Sequence, residues 1–111
     1  MAVKVRLVEC GSYIPTRRGS DRKKHAAAAW KWLERSLEAL TEVIGPSRLC
    51  VRWYVDPKTK KPLEEPIRRY EVALRRKDLG HLRSLLASAC AVFAQTQVYL
   101  SIAGHVEYVQ G

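Results

Sequence analysis

Cationic side chains in loops are the residues of this sequence whose types and spacing most clearly suggest chemistry. Five lie within the eight positions 17–24, and a second group follows at 58–61. Guanidinium and ammonium groups bind phosphate oxygens through charge-assisted hydrogen bonds, so these loops predict an anion site. The predicted anion-binding residues in the loops are Arg17, Arg18, Arg22, Lys23, Lys24, Lys58, Lys60 and Lys61.

The net charge favours a polyanionic partner. Twenty Lys and Arg residues against eleven Asp and Glu give a formal charge of +9 at pH 7. Such an excess attracts nucleic acid first and an anionic membrane surface second. The alternative interpretation of the same residues is a solvated loop that keeps the protein soluble.

Residues for covalent or metal chemistry are present, but they are not arranged for it. His25, His81 and His105 fall on separate predicted elements, and none has a neighbour at the spacing of a metal ligand. The cysteines at positions 10, 50 and 90 include no CxxC pair and lie in apolar runs. We therefore predict no catalytic residue, no metal and no cofactor, and the sequence favours a protein that is not an enzyme. If it is an enzyme, the candidates lie near the charged loops: Glu65, Gln95 and the arginines.

The elements that position these residues follow from hydrophobic periodicity. Val3, Val5 and Leu7 alternate with Lys4 and Arg6, which is typical of a strand with one solvent-exposed face, and this strand is predicted to end at Gly11. After a loop, Ser20 is a candidate helix cap. Apolar residues at spacings of three and four then predict a helix that ends at Gly45–Pro46. Its stripe consists of Ala26, Ala29, Trp30, Leu33, Leu37, Leu40 and Ile44.

The second half predicts two strands, a helix and a last strand. Residues 48–56 and 67–76 alternate as a hairpin, and the three prolines between them predict a turn that cannot be a central strand. Asp78 can cap the second helix, and the last strand covers residues 97–109 with a bulge or bend at Gly104. The predicted core face of the strand at 48–56 is Leu49, Val51, Trp53 and Val55. The predicted buried stripe of the second helix is Leu79, Leu82, Leu85, Leu86, Ala89 and Phe93.

The element order βαββαβ predicts an α+β sandwich of the ferredoxin-like type, as a single domain over residues 1–111. Its four-stranded antiparallel sheet has the order 4-1-3-2, with both helices on one face. This topology brings residues 17–24 and 58–61 to one end, beside the N-terminus of the first helix, where unpaired N–H groups favour anions. The prediction is a small basic binding protein, not an enzyme, that holds the phosphate backbone of nucleic acid without reading its sequence.

The sheet face without helices is a second candidate surface. Arg52 and Tyr54 are predicted to contact ligand there, since aromatic and cationic side chains together hold single-stranded RNA. The alternative is a self-associating module, a homodimer in which Val8, Cys10 and Tyr99 also bury apolar area. A third possibility is a small-molecule enzyme of the dimeric α+β barrel type, with this face as its pocket.

The predicted location is the cytoplasm. No stretch is apolar over the length of a membrane span, and the N-terminus lacks the apolar segment of a signal peptide. An odd number of widely spaced cysteines fits a reducing compartment.

Two segments of the second half carry a resemblance. WYVDPKTKKPLEEP (Trp53–Pro66) ends a strand, passes through a charged turn and opens the next strand with an acidic pair and a proline. FAQTQVYLSIAGHVEYV (Phe93–Val109) is a helix-to-strand junction of the FxQxxVY type. In both, the chain resembles a loose group of small, uncharacterised ferredoxin-like proteins. The resemblance implies support for that fold and no particular activity, and it points to Asp56, Glu65, Gln95 and Tyr99 as positions to test.

Overall fold

The computed structural model describes residues 6–18 and 23–111, and within them six strands and two helices are present. The strands are β1 (Leu7–Pro15), β2 (Val43–Ile44), β3 (Arg48–Val55), β4 (Pro62–Arg75), β5 (Gln97–Ile102) and β6 (His105–Gln110). The helices are α1 (Ala27–Leu40) and α2 (Leu79–Val92), and a 3-10 turn at Arg76–Asp78 precedes α2. None of the helices in this part of the chain is both long and apolar enough to cross a membrane.

The strands form one antiparallel sheet in the order β2-β4-β1-β5-β6, and β3 also pairs with β4. The predicted four-stranded, ferredoxin-like sheet is therefore wrong, because the described sheet has six strands. Two local features account for the difference. The C-terminal segment folds back as a hairpin, and a short strand follows α1.

A tight turn divides the predicted last strand in two. Ala103 and Gly104 both have positive φ, at +48° and +85°. Positive φ at both central residues is the geometry of a two-residue hairpin turn, and Gly104 adopts it without a steric penalty from a Cβ atom. The chain therefore reverses, and β5 pairs with β6 from Gln97↔Gln110 to Ile102↔His105.

Helix α1 is shorter than its apolar stripe predicts. After Leu40, the backbone N–H and the hydroxyl of Thr41 both donate to the Leu37 carbonyl, at 2.9 and 2.7 Å. The chain then becomes extended, and Val43–Ile44 pairs with residues 72–73 of β4. Ile44 therefore belongs to the sheet and not to the helix.

β3 and the first part of β4 form a two-stranded arm, which we define as residues 48–66. β1 ends at Pro15, opposite Ile67, whereas β3 and β4 remain paired out to Val55↔Pro62. The molecule is accordingly elongated, with principal extents of 59, 29 and 23 Å.

Two prolines lie inside β4, in the segment that was wrongly predicted to be only a turn. The Pro66 carbonyl accepts the N–H of Thr16 at 3.0 Å, on the side of β4 that faces away from β3. The ring nitrogen of Pro66 points to that same side, as does that of Pro62 four residues earlier. Neither proline therefore removes a hydrogen bond to β3, which is why the strand tolerates both.

Both helices pack on one face of the sheet. Leu33 and Leu37 of α1 and Leu82 and Leu86 of α2 are each 3% exposed or less, which confirms the two helical stripes at these positions. Val8 and Cys10 also belong to this core, so they cannot supply apolar area to the opposite sheet face. The core consists of Val8, Cys10, Ile14, Leu33, Leu37, Tyr70, Val72, Leu74, Leu79, Leu82, Leu86, Ala89, Cys90, Phe93, Val98 and Leu100.

Candidate functional site on the open sheet face

Three tyrosines cross the sheet face that the helices leave open. Tyr13 of β1 pairs with Tyr99 of β5, and Tyr99 pairs with Tyr108 of β6, so the three side chains share one face. The rings of Tyr13 and Tyr99 stack, with centroids 4.5 Å apart and planes 18° apart. Tyr108 meets Tyr99 edge-on at 5.9 Å. We call these three residues the tyrosine row; they form an aromatic surface on which a planar ring can stack.

Arg52 connects the arm to the tyrosine row. Its Nη1 donates to the Tyr13 hydroxyl at 2.7 Å. The guanidinium carbon lies 5.5 Å from the Tyr13 ring centroid and 5.0 Å from that of Tyr54, within the range of cation–π contacts. The structure thus brings Arg52 and Tyr54 together and fixes a cation beside the tyrosine row.

The Tyr13 hydroxyl is neutral at physiological pH. Burial raises its pKa, nearby Arg52 opposes the rise, and Tyr108 adds to it. A neutral hydroxyl accepts the hydrogen bond from Arg52 without cancelling the guanidinium charge.

A cavity of about 250 Å³ lies between the tyrosine row and the arm. Small-molecule sites range from roughly 300 to 1,000 Å³, so this one suits part of a ligand. Its wall includes Tyr54, Glu65 and Gln95 besides Arg52 and the tyrosine row. Glu65 is the cross-strand partner of Arg52 on the same face. Among the described residues its carboxylate forms no salt bridge, which leaves it as a hydrogen-bond acceptor at the cavity wall.

Gln95 reaches this cavity from the end of α2. The helix closes through Ala94, whose φ is +51°, and the Gln95 N–H donates to the Cys90 carbonyl at 2.8 Å. This is the hydrogen bond of a Schellman cap. The Gln95 side-chain amide then donates to the Phe93 carbonyl at 3.0 Å, which anchors it beside the tyrosine row.

A second depression, of about 430 Å³, continues along the same face. It is lined by Gly11, whose cross-strand partners are Glu71 on β4 and Ser101 on β5. Arg69 also lines it and is the cross-strand partner of Tyr13, so the depression adjoins the tyrosine row. An ion pair between Arg69 Nε and Glu71 Oε1, at 3.5 Å, lies at its wall.

The first cationic loop precedes α1 by several residues. An isolated bridge joins Arg17 and Lys24, and the Arg18 N–H donates to the Lys23 carbonyl at 2.8 Å, so the two described ends of this loop are paired. Since α1 begins at Ala27, these side chains do not form its first turn. Arg22 and the cap predicted at position 20 lie outside the described residues.

The second cationic group lies at the tip of the arm. Asp56 closes this turn, since its side chain accepts the Lys58 N–H at 2.8 Å and its carbonyl accepts the Lys60 N–H at 2.8 Å. Paired strands from Val51↔Pro66 to Val55↔Pro62 separate this tip from the base of the arm, a distance of about 14 Å at ~3.4 Å per residue. Lys58, Lys60 and Lys61 therefore do not share one tip with the loop at 17–24. The anion-binding role of both groups stays a prediction.

The buried thiols are poor nucleophiles. Burial raises the pKa of Cys10 and of Cys90, and both are at most 5% exposed. A thiol, not a thiolate, is therefore present at neutral pH. Among the described residues, no three His, Cys, Asp or Glu side chains come together as metal ligands.

Sequence reasoning missed Tyr13 and Tyr108 as site residues. It ended the first strand at Gly11 and placed Tyr13 in a loop, whereas β1 continues to Pro15. The missed signal is alternation, because Ile14 continues the buried positions begun by Val8 and Cys10. Tyr108 was assigned to the last strand, but only the hairpin turn places it beside Tyr99.

Comparison with known proteins identifies the fold. No family model and no curated protein matches the chain. A solved structure of phage SAM lyase in complex with S-methyl-5′-thioadenosine matches with a TM-score of 0.69 and 11% identity, over 100% of this chain and 95% of that one. Phage SAM lyase in the apo state matches with a TM-score of 0.63 and 13% identity, over 99% and 97% of the two chains. At this identity the likeness shows a shared α+β fold.

These matches correct the functional prediction. Both matching chains belong to an enzyme, and the six-stranded sheet of this chain is not ferredoxin-like. The prediction of a non-enzymatic protein that binds nucleic acid is therefore wrong. Its geometric premise also fails, because the two cationic groups lie at different ends of the arm.

Proposed function

We propose that this protein is an enzyme that cleaves S-adenosylmethionine and releases S-methyl-5′-thioadenosine. The observation that carries this proposal is the full-length fold likeness to phage SAM lyase, one structure of which holds S-methyl-5′-thioadenosine. The tyrosine row and its adjoining cavities support it, because they combine an aromatic surface with charged groups on an open sheet face.

The tyrosine row is the binding surface for adenine. Stacked and edge-on aromatic rings present apolar faces to a planar base, and base–aromatic stacking contributes about 1–3 kcal/mol per base. Glu65 and Gln95 lie at the wall of the same cavity and supply hydrogen-bond partners for the polar edge of the base.

The chemical step removes the positive charge of the sulfonium. Release of S-methyl-5′-thioadenosine breaks the bond between sulfur and the γ-carbon of the amino-acid chain, and the electron pair passes to sulfur. An oxygen of the substrate's own carboxylate attacks the γ-carbon, and the new carbon–oxygen bond closes a five-membered lactone. Atoms and charge balance without a proton, a metal or a protein nucleophile, in keeping with the raised pKa of the two buried thiols.

Arg52 favours this step electrostatically. Its guanidinium, held by Tyr13 and Tyr54, repels the sulfonium of the bound substrate. The repulsion falls as the sulfur becomes neutral, so the transition state is stabilised relative to the ground state. We expect Arg52→Gln to lower kcat by roughly 10- to 100-fold. Each tenfold change in kcat corresponds to about 1.4 kcal/mol of activation free energy.

The test is turnover of S-adenosylmethionine by the purified full chain, with S-methyl-5′-thioadenosine measured by chromatography. We expect product from the wild type, a loss of binding in Tyr99→Ala and a lowered kcat in Arg52→Gln. Lys58→Gln, at the tip of the arm, is the matched cationic control and should leave turnover unchanged. Absence of the nucleoside product from the wild type would refute the proposal, and equal effects of the Arg52 and Lys58 variants would refute the site.

A further inference from the structure

We propose that Arg69 and Glu71 bind the amino-acid end of the substrate in the depression at Gly11. Arg69 binds the α-carboxylate, and Glu71 binds the α-ammonium group. This inference rests on the proposed function and deepens it, because it assigns the part of the site that distinguishes the intact substrate from the nucleoside product.

The depression lies at the right distance from the adenine surface. Gly11 precedes Tyr13 by two residues on β1, so the two positions share a face and are separated by about 7 Å along the strand. From the sulfur to the carboxyl carbon, the substrate has four bonds of ~1.5 Å, which span about 5 Å. A nucleoside on the tyrosine row therefore extends its amino-acid chain over Gly11.

Gly11 leaves the room that this chain needs. A Cβ atom at this position would lie 3.6 Å from Arg69 Nη2, so the guanidinium already lies close above the glycine backbone. Any larger side chain would occupy the space between Arg69 and the strand. The missing side chain keeps the depression open beside Arg69, and Arg69 is the cross-strand partner of Tyr13 in the tyrosine row.

The charges of the depression match those of an α-amino acid. Arg69 and Glu71 form an ion pair at 3.5 Å, with side chains that are 42% and 60% exposed. A pair this exposed stabilises the fold little, so its members are available to a ligand. A bound amino-acid end gives Arg69 a carboxylate and Glu71 an ammonium group, and no charge is left unpaired. Glu9 lines the same depression and adds to its attraction for the ammonium group.

Arg75 on the same strand provides a matched control. It pairs with Glu42 at 3.2 Å, with side chains that are 44% and 46% exposed, which closely resembles the Arg69 pair. It lies six residues from Arg69, about 20 Å along the strand, and does not line the depression. A general effect of removing a surface arginine from β4 would appear equally in both variants.

The experiment is isothermal titration of the full chain with two ligands. S-adenosylhomocysteine carries the amino-acid end but has a neutral sulfur, so it is not cleaved as a sulfonium; S-methyl-5′-thioadenosine lacks that end. We expect Arg69→Gln and Glu71→Gln each to raise the Kd for S-adenosylhomocysteine about 10- to 100-fold, the range for a charge-assisted hydrogen bond. The Kd for S-methyl-5′-thioadenosine should stay within about twofold, and Arg75→Gln should change neither value.

The outcomes separate this inference from the proposed function. If the wild type binds neither ligand, both fail. If the wild type binds S-methyl-5′-thioadenosine but not S-adenosylhomocysteine, only the amino-acid subsite fails. An Arg69→Gln variant that loses both ligands equally, or neither, also overturns the inference, and thermal unfolding of each variant shows whether the fold is intact.

Discussion

The sheet body and the arm carry the same alternation of residues on the same sheet face, but only the body is covered. On the body, Tyr70, Val72 and Leu74 of β4 are 2%, 8% and 0% exposed beneath the helices. On the arm, the side chains of Leu49, Val51, Trp53 and Val55 lie on the continuation of that face at 72%, 51%, 67% and 60% exposure. Alternation therefore specifies a strand and its faces, whereas burial depends on whether a helix reaches that part of the sheet.

The largest expected effect is the loss of a core side chain from the body. Phe93 is fully buried and contacts Trp30 at 4.7 Å and His25 at 5.0 Å between ring centroids. Phe93→Ala should lower the free energy of unfolding by about 3–5 kcal/mol, because it removes buried surface and leaves a cavity. Urea denaturation measures the change. A loss below about 1 kcal/mol would contradict a tightly packed body.

The helices and their buried stripes could be predicted from sequence because each depends on local periodicity. Leu33 and Leu37 on α1, like Leu82 and Leu86 on α2, lie four residues apart and are buried, as a helical stripe requires. The end of α1 could not be predicted from sequence. Ile44 continues the helical spacing of apolar residues, but it pairs with Val72 and so belongs to the sheet. Such pairing depends on residues distant in sequence.

The candidate site was predictable only in part, for a similar reason. The resemblance drew attention to Glu65, Gln95 and Tyr99, and the structure places these three around one cavity. Tyr13 was missed because Gly11 was predicted to end β1, whereas the strand continues to Pro15. Trp53 was assigned to the core, but the core does not extend over the arm. Residue type gave the chemistry of these side chains, but strand register decided which of them meet.

The next effect concerns a polar group inside the body. Tyr70 is 2% exposed, and its hydroxyl makes no hydrogen bond of ordinary geometry among the described residues, although Arg68 lies beside it. A buried polar group without a partner costs about 1–3 kcal/mol, so Tyr70→Phe should stabilise the protein by about 1 kcal/mol. Urea denaturation at neutral pH measures this gain. A destabilised variant would mean that the hydroxyl is hydrogen-bonded in solution.

A second test of Tyr70 is how the free energy of unfolding changes at alkaline pH. Burial raises the pKa of its hydroxyl above the ordinary value near 10, with Glu34 adding to the rise and Arg68 opposing it. Above about pH 10 the unfolded chain loses a proton that the folded chain keeps, so stability falls as the pH rises. Above about pH 10 the wild type should lose stability with rising pH more steeply than Tyr70→Phe. Equal slopes would exclude Tyr70 as a source of the alkaline loss.

A smaller gain is expected at the end of α2, where the body supports the site. Ala94 has a φ of +51°, a left-handed conformation in which a Cβ atom costs roughly 1–2 kcal/mol. Ala94→Gly should raise the free energy of unfolding by about 1 kcal/mol, because glycine is favoured at this position of a helix cap. Ala91→Gly, inside the helix, is the control and should lower it by about 0.5–1 kcal/mol. Destabilisation by both variants would contradict the left-handed cap.

The smallest expected effect lies on the arm and tests the comparison directly. Trp53 is 67% exposed, and the helices do not cover its face of the sheet. Trp53→Ala should therefore change the free energy of unfolding by no more than about 0.5 kcal/mol, as surface substitutions do. Urea denaturation at two protein concentrations measures it against Phe93→Ala. A loss above about 2 kcal/mol that grows with concentration would mean that another chain covers this face, since mass action then contributes to stability. In that case the arm and the body would differ only in which chain covers their apolar residues.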